Sequence, residues 1–244
     1  MKPDLDAALA DLVAANRILA QHGIVDGYGH VSLRAPHKPD HYLLSRAIAP
    51  ETVTADDIVE FDLDSQPTRR TPELYLERFI HGEIYRVRPE VRAVVHNHAP
   101  SLIPFGVAAT PLRPVYHMAA FVGQGIPIFE IRDTAGEATD LLIRSPALGR
   151  ALATSLGDKP AALMRGHGAT VVADSLALVV ARSIYLELNA KLQLQALTLA
   201  GPDGEVRYLS PDEAAAASIT LGDYRRSWQL WRATALTEVS TVRS

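Results

Sequence analysis

Two histidines separated by one residue follow a short apolar segment, and they are the first residues in this chain whose types and spacing could do chemistry. Residues 91–95 are typical of a buried strand, which leads into His96-Asn97-His98. Because side chains alternate faces along a strand, His96 and His98 should point to one side and Asn97 to the other. Each neutral imidazole offers a nitrogen lone pair, so this pair could chelate a divalent cation.

A third histidine stands between two glycines much later in the chain. Residues 161–164 form another apolar run, and Gly166-His167-Gly168 follows it one residue later. Glycine at such a point indicates a tight turn or a close approach of two backbones, and small neighbours leave room for bulky ligands. We therefore predict that His96, His98 and His167 meet around one metal ion.

An acidic residue just before this strand could complete the ligand set. The spacing of apolar residues predicts a helix over residues 73–87, on which Glu77 and His81 are four apart and share a face. Two interpretations stay open. The two residues could form an ordinary surface Glu–His pair, or Glu77 could face the histidines as fourth ligand or proton carrier.

Composition narrows the remaining function classes. The chain has 244 residues, 48% of them apolar and 21% charged, with a net charge of −4 and no cysteine. Without cysteine, any metal site must be built from His, Asp and Glu. The absence of a basic block argues against a nucleic-acid partner. No apolar run approaches the length of a membrane span, and residues 1–4 do not resemble a signal peptide, so we expect a cytoplasmic protein.

Other catalytic schemes lack their residues. The chain contains no GxxxxGK[ST], HExxH or GxSxG motif. A Schiff-base mechanism needs a buried lysine, and the four lysines lie near a terminus, in a polar loop or on a helix flank: Lys2, Lys38, Lys159 and Lys191. Metal-assisted polar chemistry is the scheme that the residues favour.

The elements that must position these residues follow from hydrophobic periodicity and from turn residues. Helices are predicted over residues 5–22, 73–87, 100–107, 137–156 and 175–199, and again from the capping box at Ser210. Strands are predicted at the end of a glycine turn near residue 30 and over residues 42–44, 58–63, 91–98, 126–131, 161–164, 169–173 and 206–208. Tyr224, Trp228 and Trp231 have helical spacing, which indicates core or subunit contacts. No repeat or domain boundary is evident, so residues 1–244 are predicted to form a single domain with C-terminal helices.

Four motifs follow one another along the chain: Gly29-His30-Val31-Ser32-x-Arg34, Glu77-x-x-x-His81-x-x-x-Tyr85-x-x-x-Pro89, Ala93-Val94-Val95-His96-Asn97-His98 and Gly166-His167-Gly168. In this order the motifs resemble those of the class II aldolase/adducin family over roughly residues 5–200. The resemblance implies an α/β fold, a three-layer α/β/α sandwich with a central, largely antiparallel sheet. It also implies a homotetramer with active sites near subunit interfaces. By the same analogy His96, His98 and His167 bind a divalent metal, with Glu77 as fourth ligand or catalytic acid/base.

Departures from the family pattern bear on the substrate. Sugar-phosphate aldolases of the family usually carry a Gly-Asn turn and a Ser-Ser-Glu triplet, where this chain has Gly29-His30 and Tyr75-Leu76-Glu77. Leu76 offers a phosphate no side-chain donor. The segments 76–85, 103–106, 113–118 and 163–168 are similar to a branch that decarboxylates hydroxylated aromatic or pyridine carboxylates. We therefore predict a metal-dependent decarboxylase. The alternatives are an aldolase or epimerase acting on a hydroxy-carbonyl or sugar-phosphate substrate, and a non-catalytic adducin-like interaction domain.

Several side chains are candidates to deliver the proton that decarboxylation places on a ring carbon. They are His30, Glu77 and His117, and His117 falls where aldolase members tend to have a catalytic tyrosine, with Tyr116 adjacent. We expect the metal to be Zn²⁺, although a His₃-carboxylate set also accepts Mn²⁺, Fe²⁺ or Co²⁺. The partner is a small-molecule substrate, with neither nucleic acid nor membrane involved.

Four further residues are candidates for binding the substrate. Arg34 and Arg46 could clamp a carboxylate, the alternative being that each is an ordinary surface charge. Ser45 lies beside Arg46 at the end of a predicted strand. Gly29 could let a backbone N–H approach an anionic ligand, and its alternative is a plain β-turn.

Overall fold

A seven-stranded sheet forms the centre of the protein. The structure is a computed structural model that describes residues 5–241, with side chains as far as Leu236. The strands are β1 (His30–Arg34), β2 (His41–Ser45), β3 (Ile58–Asp62), β4 (Ala93–Asn97), β5 (Ile128–Phe129), β6 (Ala161–Met164) and β7 (Gly168–Ala173). Their order is β3-β2-β1-β4-β7-β6-β5. Only the β5–β6 pair is parallel among these strands, so the prediction of a largely antiparallel sheet is confirmed.

Helices cover both faces of the sheet. They are α1 (Leu5–Gln21), α2 (Phe79–Val87), α3 (Ile103–Val107), α4 (Arg132–Ala135), α5 (Pro146–Leu156), α6 (Leu176–Ala200), α7 (Pro211–Leu221) and α8 (Arg225–Thr241). Alternation along β4 shows why two layers are needed. Ala93 and Val95 are buried in a core shared with α1 and α6, whereas Val94 is buried in a second core shared with α2 and α5. The predicted α/β/α sandwich is confirmed.

Two predicted helices begin later than expected. The helix predicted from Glu73 is preceded by a 3₁₀ turn at Leu76–Arg78 and becomes α-helical only at Phe79. The helix predicted over residues 137–156 begins at Pro146. Proline disfavours helical backbone in the residue before it, and the Ser145 side chain caps the new start by accepting a hydrogen bond from the Leu148 N–H.

Three other predicted elements are shorter or absent in the described part of the chain. The strand expected over 126–131 contains only Ile128–Phe129, and the helix expected over 100–107 contains only Ile103–Val107. The strand expected at 206–208 is not formed, and next to it the Leu209 N–H donates a single backbone bond to Pro114. Pattern alone was wrong there because a strand needs a neighbouring strand as well as suitable residues.

The C-terminal helices pack on the first core. Trp228 and Trp231 lie partly buried against it, and the Tyr224 hydroxyl donates to the Met118 carbonyl at 2.7 Å. These contacts agree with the core role expected for the aromatic residues. Within residues 5–241, none of the helices combines the length and the apolarity that crossing a membrane requires. Residues 1–4, which entered the signal-peptide argument, lie outside the described residues.

Candidate metal centre

The three histidines are brought together by the pairing of β4 with β7. His96 lies in β4, His98 follows its last residue, and His167 lies in the turn between β6 and β7. Gly166 makes that turn with φ +66°, a conformation that L side chains rarely adopt. A Cβ at Gly168 would overlap the carbonyl oxygen of Asn97 at the end of β4. Both uses of glycine expected from the sequence, a turn and a close approach, therefore occur here.

Four possible ligand atoms, from Glu77 and the three histidines, lie within 4.8 Å of one another. The Nε2 atom of His98 is 3.1 Å from Nε2 of His96 and 3.0 Å from Nε2 of His167. One carboxylate oxygen of Glu77 is 3.3 Å from Nε2 of His96 and 3.5 Å from Nε2 of His167. The structure thus favours the second interpretation of Glu77, since this residue faces the histidines.

The backbone decides which imidazole nitrogens carry hydrogen. Nδ1 of His96 lies 3.2 Å from the carbonyl oxygen of Ala169, and Nδ1 of His167 lies 3.0 Å from that of Leu141. A carbonyl only accepts hydrogen bonds, so each Nδ1 is the donor and each Nε2 of the neutral ring presents a lone pair. Lone pairs and a carboxylate oxygen that face each other at these distances repel unless a cation lies between them. The donor set therefore fits a divalent metal.

The loop at residues 141–143 holds two of the four ligands. Leu141 adopts φ +69°, an unusual conformation for leucine, and its carbonyl accepts the hydrogen bond from His167. Two residues later, the backbone N–H of Ile143 donates to the Glu77 carboxylate at 2.9 Å. One short segment thus orients an imidazole and a carboxylate at the same time.

Burial and neighbouring charge set the protonation of the ligands. Burial alone would raise the pKa of the Glu77 carboxyl, but His96 and His167 outweigh it and hold that pKa well below its usual range. Burial, and then His96 and His167, lower the pKa of His98 to about 4. Near neutral pH the site therefore offers an ionised carboxylate and a neutral His98 imidazole, which are the forms that bind metals.

A cavity of about 500 Å³ opens beside this cluster. Its wall is mostly apolar or aromatic and consists of Gly27, Tyr28, Gly29, His30, Ala47, Ile48, Ala49, Leu74, Tyr75, Leu76, Glu77, His98 and Leu142. No lysine or arginine occurs among these described lining residues. The cavity has the size and wall chemistry for a small ring compound held against the histidine cluster.

The structure places two of the predicted substrate-binding residues at or near the cavity. Gly29 lines it with φ +86°, and a Cβ there would lie 2.7 Å from Cγ1 of Val25 and 3.1 Å from the His96 carbonyl oxygen, so the turn requires glycine. Ser45 is buried and is not part of the described wall. Its hydroxyl lies 3.4 Å from that of Tyr75, which does line the cavity.

The two arginines predicted to clamp a carboxylate are engaged elsewhere. The guanidinium of Arg34 is buried and donates at 2.6–3.0 Å to backbone carbonyls of Pro39, Tyr85, Arg88 and Val91. Arg46 donates to the carboxylates of Asp57 at 2.7 Å and Glu73 at 2.6 Å. Neither arginine lines the described cavity. The structure therefore does not bring either arginine to the cavity, and their donors are used to hold the fold.

The proposed proton donors fall into two groups. His30 lines the cavity, pairs with His96 in the β1–β4 register, and has its ring centroid 5.2 Å from that of His96. His117 is exposed at the start of the 3₁₀ segment His117–Val122, with Tyr116 packed edge-on against it at 5.0 Å. Neither Tyr116 nor His117 lines the described cavity.

Sequence reasoning missed the aromatic wall and the residues behind His30. Tyr28 and Tyr75 line the cavity, and His81, Ser32 and Tyr85 form a buried polar group behind it. The four-residue spacing of Glu77, His81 and Tyr85 was a signal that these side chains share one helix face. Nothing in the sequence pattern indicated the part played by the loop at residues 141–143.

Comparison with known proteins identifies relatives along most of the chain. The "Decarboxylase tropJ" of Talaromyces stipitatus is 37% identical over 240 residues, which are 90% of this chain and 90% of that protein. A "3,4-dihydroxyphthalate decarboxylase" of Rhodococcus jostii is 31% identical over 213 residues, covering 81% of this chain and 84% of the relative.

A solved structure and a family model also match most of the chain. The L-fuculose 1-phosphate aldolase of Glaciozyma antarctica superposes with a TM-score of 0.76 at 21% identity, covering 100% of this chain and 94% of that chain, which shows a shared fold. The model of the Class II Aldolase and Adducin N-terminal domain matches residues 10–194, which include all four members of the histidine and glutamate cluster. The chain therefore belongs to the class II aldolase and adducin family.

Proposed function

We propose that this protein is a metal-dependent decarboxylase that releases CO₂ from a small hydroxylated aromatic carboxylate. The observation that carries the proposal is the position of the Glu77–His96–His98–His167 cluster beside a largely apolar cavity. Apolar and aromatic walls suit a planar ring, whereas the described wall has no lysine or arginine to neutralise the charge of a sugar phosphate. The relatives named as decarboxylases support the same substrate class.

Three imidazoles and one carboxylate would hold the metal: His96, His98, His167 and Glu77. When bound, a divalent metal supplies a Lewis acid that stabilises negative charge on oxygen atoms of the substrate. We propose Zn²⁺ first, with Mn²⁺, Fe²⁺ and Co²⁺ as alternatives, because the ligand set alone accepts each of them. The carbonyls of Leu141 and Ala169 keep two of the imidazoles in the tautomer that binds through Nε2.

The protein's own side chains bind and orient the substrate. Tyr28 and Tyr75 provide aromatic surface, and Leu76 provides apolar surface that excludes water from the ring. Glu77 is ionised and has both oxygens in contact with other groups, so it serves better as a ligand than as a proton donor. His30 is then the cavity residue placed to exchange a proton with the substrate.

A paired-substrate assay tests this proposal. Zinc-, manganese- and cobalt-loaded protein is incubated with 3,4-dihydroxyphthalate, with several hydroxybenzoates and with L-fuculose 1-phosphate, while CO₂ and aldehyde are measured. We expect CO₂ from at least one aromatic carboxylate and no aldehyde from the sugar phosphate. Aldehyde release without CO₂ from any aromatic would refute the decarboxylase and support the aldolase or epimerase alternative.

The third alternative is an adducin-like domain without catalysis. The complete ligand cluster counts against it, because a binding domain has no need of four converging donors. Stoichiometric zinc measured by elemental analysis in the purified protein supports an enzyme. Protein that takes up no divalent metal even after dialysis against zinc would favour the interaction domain.

The assembly and location belong to the same proposal. We propose a single-domain chain that forms a cytoplasmic homotetramer, in which Tyr116 and His117 would approach the cavity of a neighbouring copy. His117 is exposed at the start of the segment His117–Val122, Tyr116 just before it is partly exposed, and neither lines the described cavity of its own chain, which supports this arrangement. Light scattering checks the mass, and mixing inactive His117→Ala with inactive His96→Ala subunits should restore activity if sites are shared.

A further inference from the structure

Four buried side chains form a hydrogen-bonded chain that leads from the cavity into the interior. Nδ1 of His30 lies 2.7 Å from Nε2 of His81, and Nδ1 of His81 lies 2.6 Å from the Ser32 hydroxyl. The Ser32 hydroxyl is 2.8 Å from that of Tyr85, whose hydroxyl donates to the Arg92 carbonyl at 3.4 Å. All four side chains are at most 3% exposed. This hydrogen-bonded chain of side chains thus has one end in the cavity and the other at a backbone acceptor, the Arg92 carbonyl.

Counting hydrogens sets the direction of this chain. Burial lowers the pKa of His81 to about 3, so its ring is neutral near neutral pH and carries one N–H. If His30 is neutral too, the four side chains supply four hydrogens for four links. Because the Arg92 carbonyl can only accept, all four links form only when every hydrogen points away from the cavity. In the reverse direction the Tyr85–Arg92 link is lost, and one hydrogen of His30 points outward.

In the direction that makes all four links, the second nitrogen of His30 carries no hydrogen. Nδ1 donates to His81, which leaves Nε2 as a hydrogen-bond acceptor. His30 lines the cavity, and among the described residues no protein group bonds to its Nε2. The cavity therefore presents an acceptor at this place, next to His96.

We infer that His81, Ser32 and Tyr85 are positioning residues that fix His30 as a hydrogen-bond acceptor and thereby select ligands carrying a hydroxyl group at that place. The ligand class deepens the proposed function and rests on it. A phenolic hydroxyl donates to Nε2. A methyl ether or a carboxylate oxygen at the same place brings lone pair against lone pair and is disfavoured.

Tyr85→Phe provides the sharpest change, because it removes the last link without altering the ring. The Ser32 hydroxyl then has His81 as its remaining partner in the chain, so the hydrogens reverse and Nε2 of His30 becomes a donor. Tyr42→Phe is the matched control. Tyr42 packs against both Tyr85 and His81, but its hydroxyl donates to the Arg78 carbonyl and is not part of the chain.

The first measurement is the ¹⁵N NMR signature of the His30 ring in metal-free protein, assigned with a His30→Gln variant. We expect unprotonated Nε2 in wild type and in Tyr42→Phe, and protonated Nε2 in Tyr85→Phe. A protonated Nε2 in neutral wild-type His30, or the same tautomer in all three proteins, would overturn the inference. If Tyr85→Phe does not fold, Ser32→Ala interrupts the chain at the previous link and should give a mixture of tautomers; an unchanged single tautomer would again overturn it.

The second measurement compares binding of 3,4-dihydroxybenzoate with its two monomethyl ethers to zinc-loaded protein by calorimetry. In wild type at least one ether should bind more weakly than the diol, and in Tyr85→Phe that ratio should fall by about tenfold. The comparison between proteins cancels any effect of methylation on metal binding. An unchanged ratio refutes the selection of hydroxyl groups. The NMR result needs no substrate, so failure of the decarboxylase assay alone would refute the proposed function and leave the tautomer assignment intact.

Discussion

Gly168→Ala tests whether the close approach of β7 to the end of β4 sets the geometry of the candidate metal centre. A Cβ at residue 168 would overlap the Asn97 carbonyl oxygen and lie 3.0 Å from both the Asn97 carbonyl carbon and Cα of His98. Carbons that are not bonded settle about 3.5–4.0 Å apart, so these two carbon contacts alone require the strands to separate by roughly 0.5–1 Å, and the overlap with the oxygen requires more. His167 and His98 are direct neighbours of the displaced atoms, and their Nε2 atoms are now 3.0 Å apart.

This displacement is larger than a coordination sphere tolerates, since ligand distances hold within about 0.2 Å. Changes that only misorient ligands already cost about 10–100-fold in metal affinity. We expect Gly168→Ala to weaken zinc binding by at least about tenfold and to lose about 1–3 kcal/mol of unfolding free energy through overpacking. Competition against a chromophoric chelator measures the affinity, and urea unfolding of metal-free protein measures the stability.

Gly106→Ala is the matched control. Gly106 is also buried, but a Cβ there would meet nothing closer than the Met164 carbonyl oxygen at 3.5 Å, an ordinary contact. It lies within helix α3, where alanine is preferred over glycine by about 0.5–1 kcal/mol. Zinc affinity should therefore be unchanged in this variant. Wild-type zinc affinity in Gly168→Ala would refute the argument that this backbone contact positions the histidines.

Four further predictions concern metal, pH and buried charge. His96→Ala should lose both bound metal and activity while the surface variant His37→Ala retains them, and stoichiometric zinc in the first variant, by elemental analysis, would refute the ligand assignment. Removing metal with a chelator should lower the melting temperature, because a ligand that binds only the folded state stabilises it; an unchanged melting curve would contradict this. Burial keeps the folded pKa of His81 near 3, below its unfolded value of 6.5, so unfolding takes up a proton as the pH falls. This residue alone should lower the stability of metal-free protein by about 1–2 kcal/mol between pH 6.5 and pH 5, and the lowered pKa of His98 adds to the loss, so His81→Gln, compared by urea titration, should lose less. Arg34→Met leaves buried carbonyls unpaired and should cost at least about 2 kcal/mol in the same titration, whereas Arg46→Met should cost less; equal losses would contradict the buried role.

Rules that depend only on neighbouring residues predicted the metal ligands better than they predicted the residues packed around them. The alternation of His96 and His98 along one strand and the need for glycine at residue 168 depend on neighbouring residues and on steric limits, so both could be derived from the chain itself. The likeness of the motifs to a known family supplied the layer order of the fold. The direction of Glu77 remained open, because its helix could have docked on the sheet in more than one way.

The parts that sequence reasoning missed depend on contacts between distant segments. In the sequence Arg34 looks like a cation that is free to bind a substrate carboxylate, but in the structure it donates to backbone carbonyls of a distant part of the chain. The hydrogen bond between His30 and His81 requires β1 to pair with β4 in one register and α2 to pack over both. Residues 141–143 were predicted to be helical, and only the folded backbone shows that their peptide groups contact the ligands.

Because the ligands come from three separate stretches, no local segment of the chain can hold the ion by itself. The site exists only after β7 has joined β4 and the turn before α2 has closed over them. Metal retained after gel filtration should therefore be bound to correctly assembled molecules, and chains whose final packing step is incomplete should not retain it. The same dependence makes growth medium and refolding conditions, as well as mutations, determinants of how much competent protein a preparation contains.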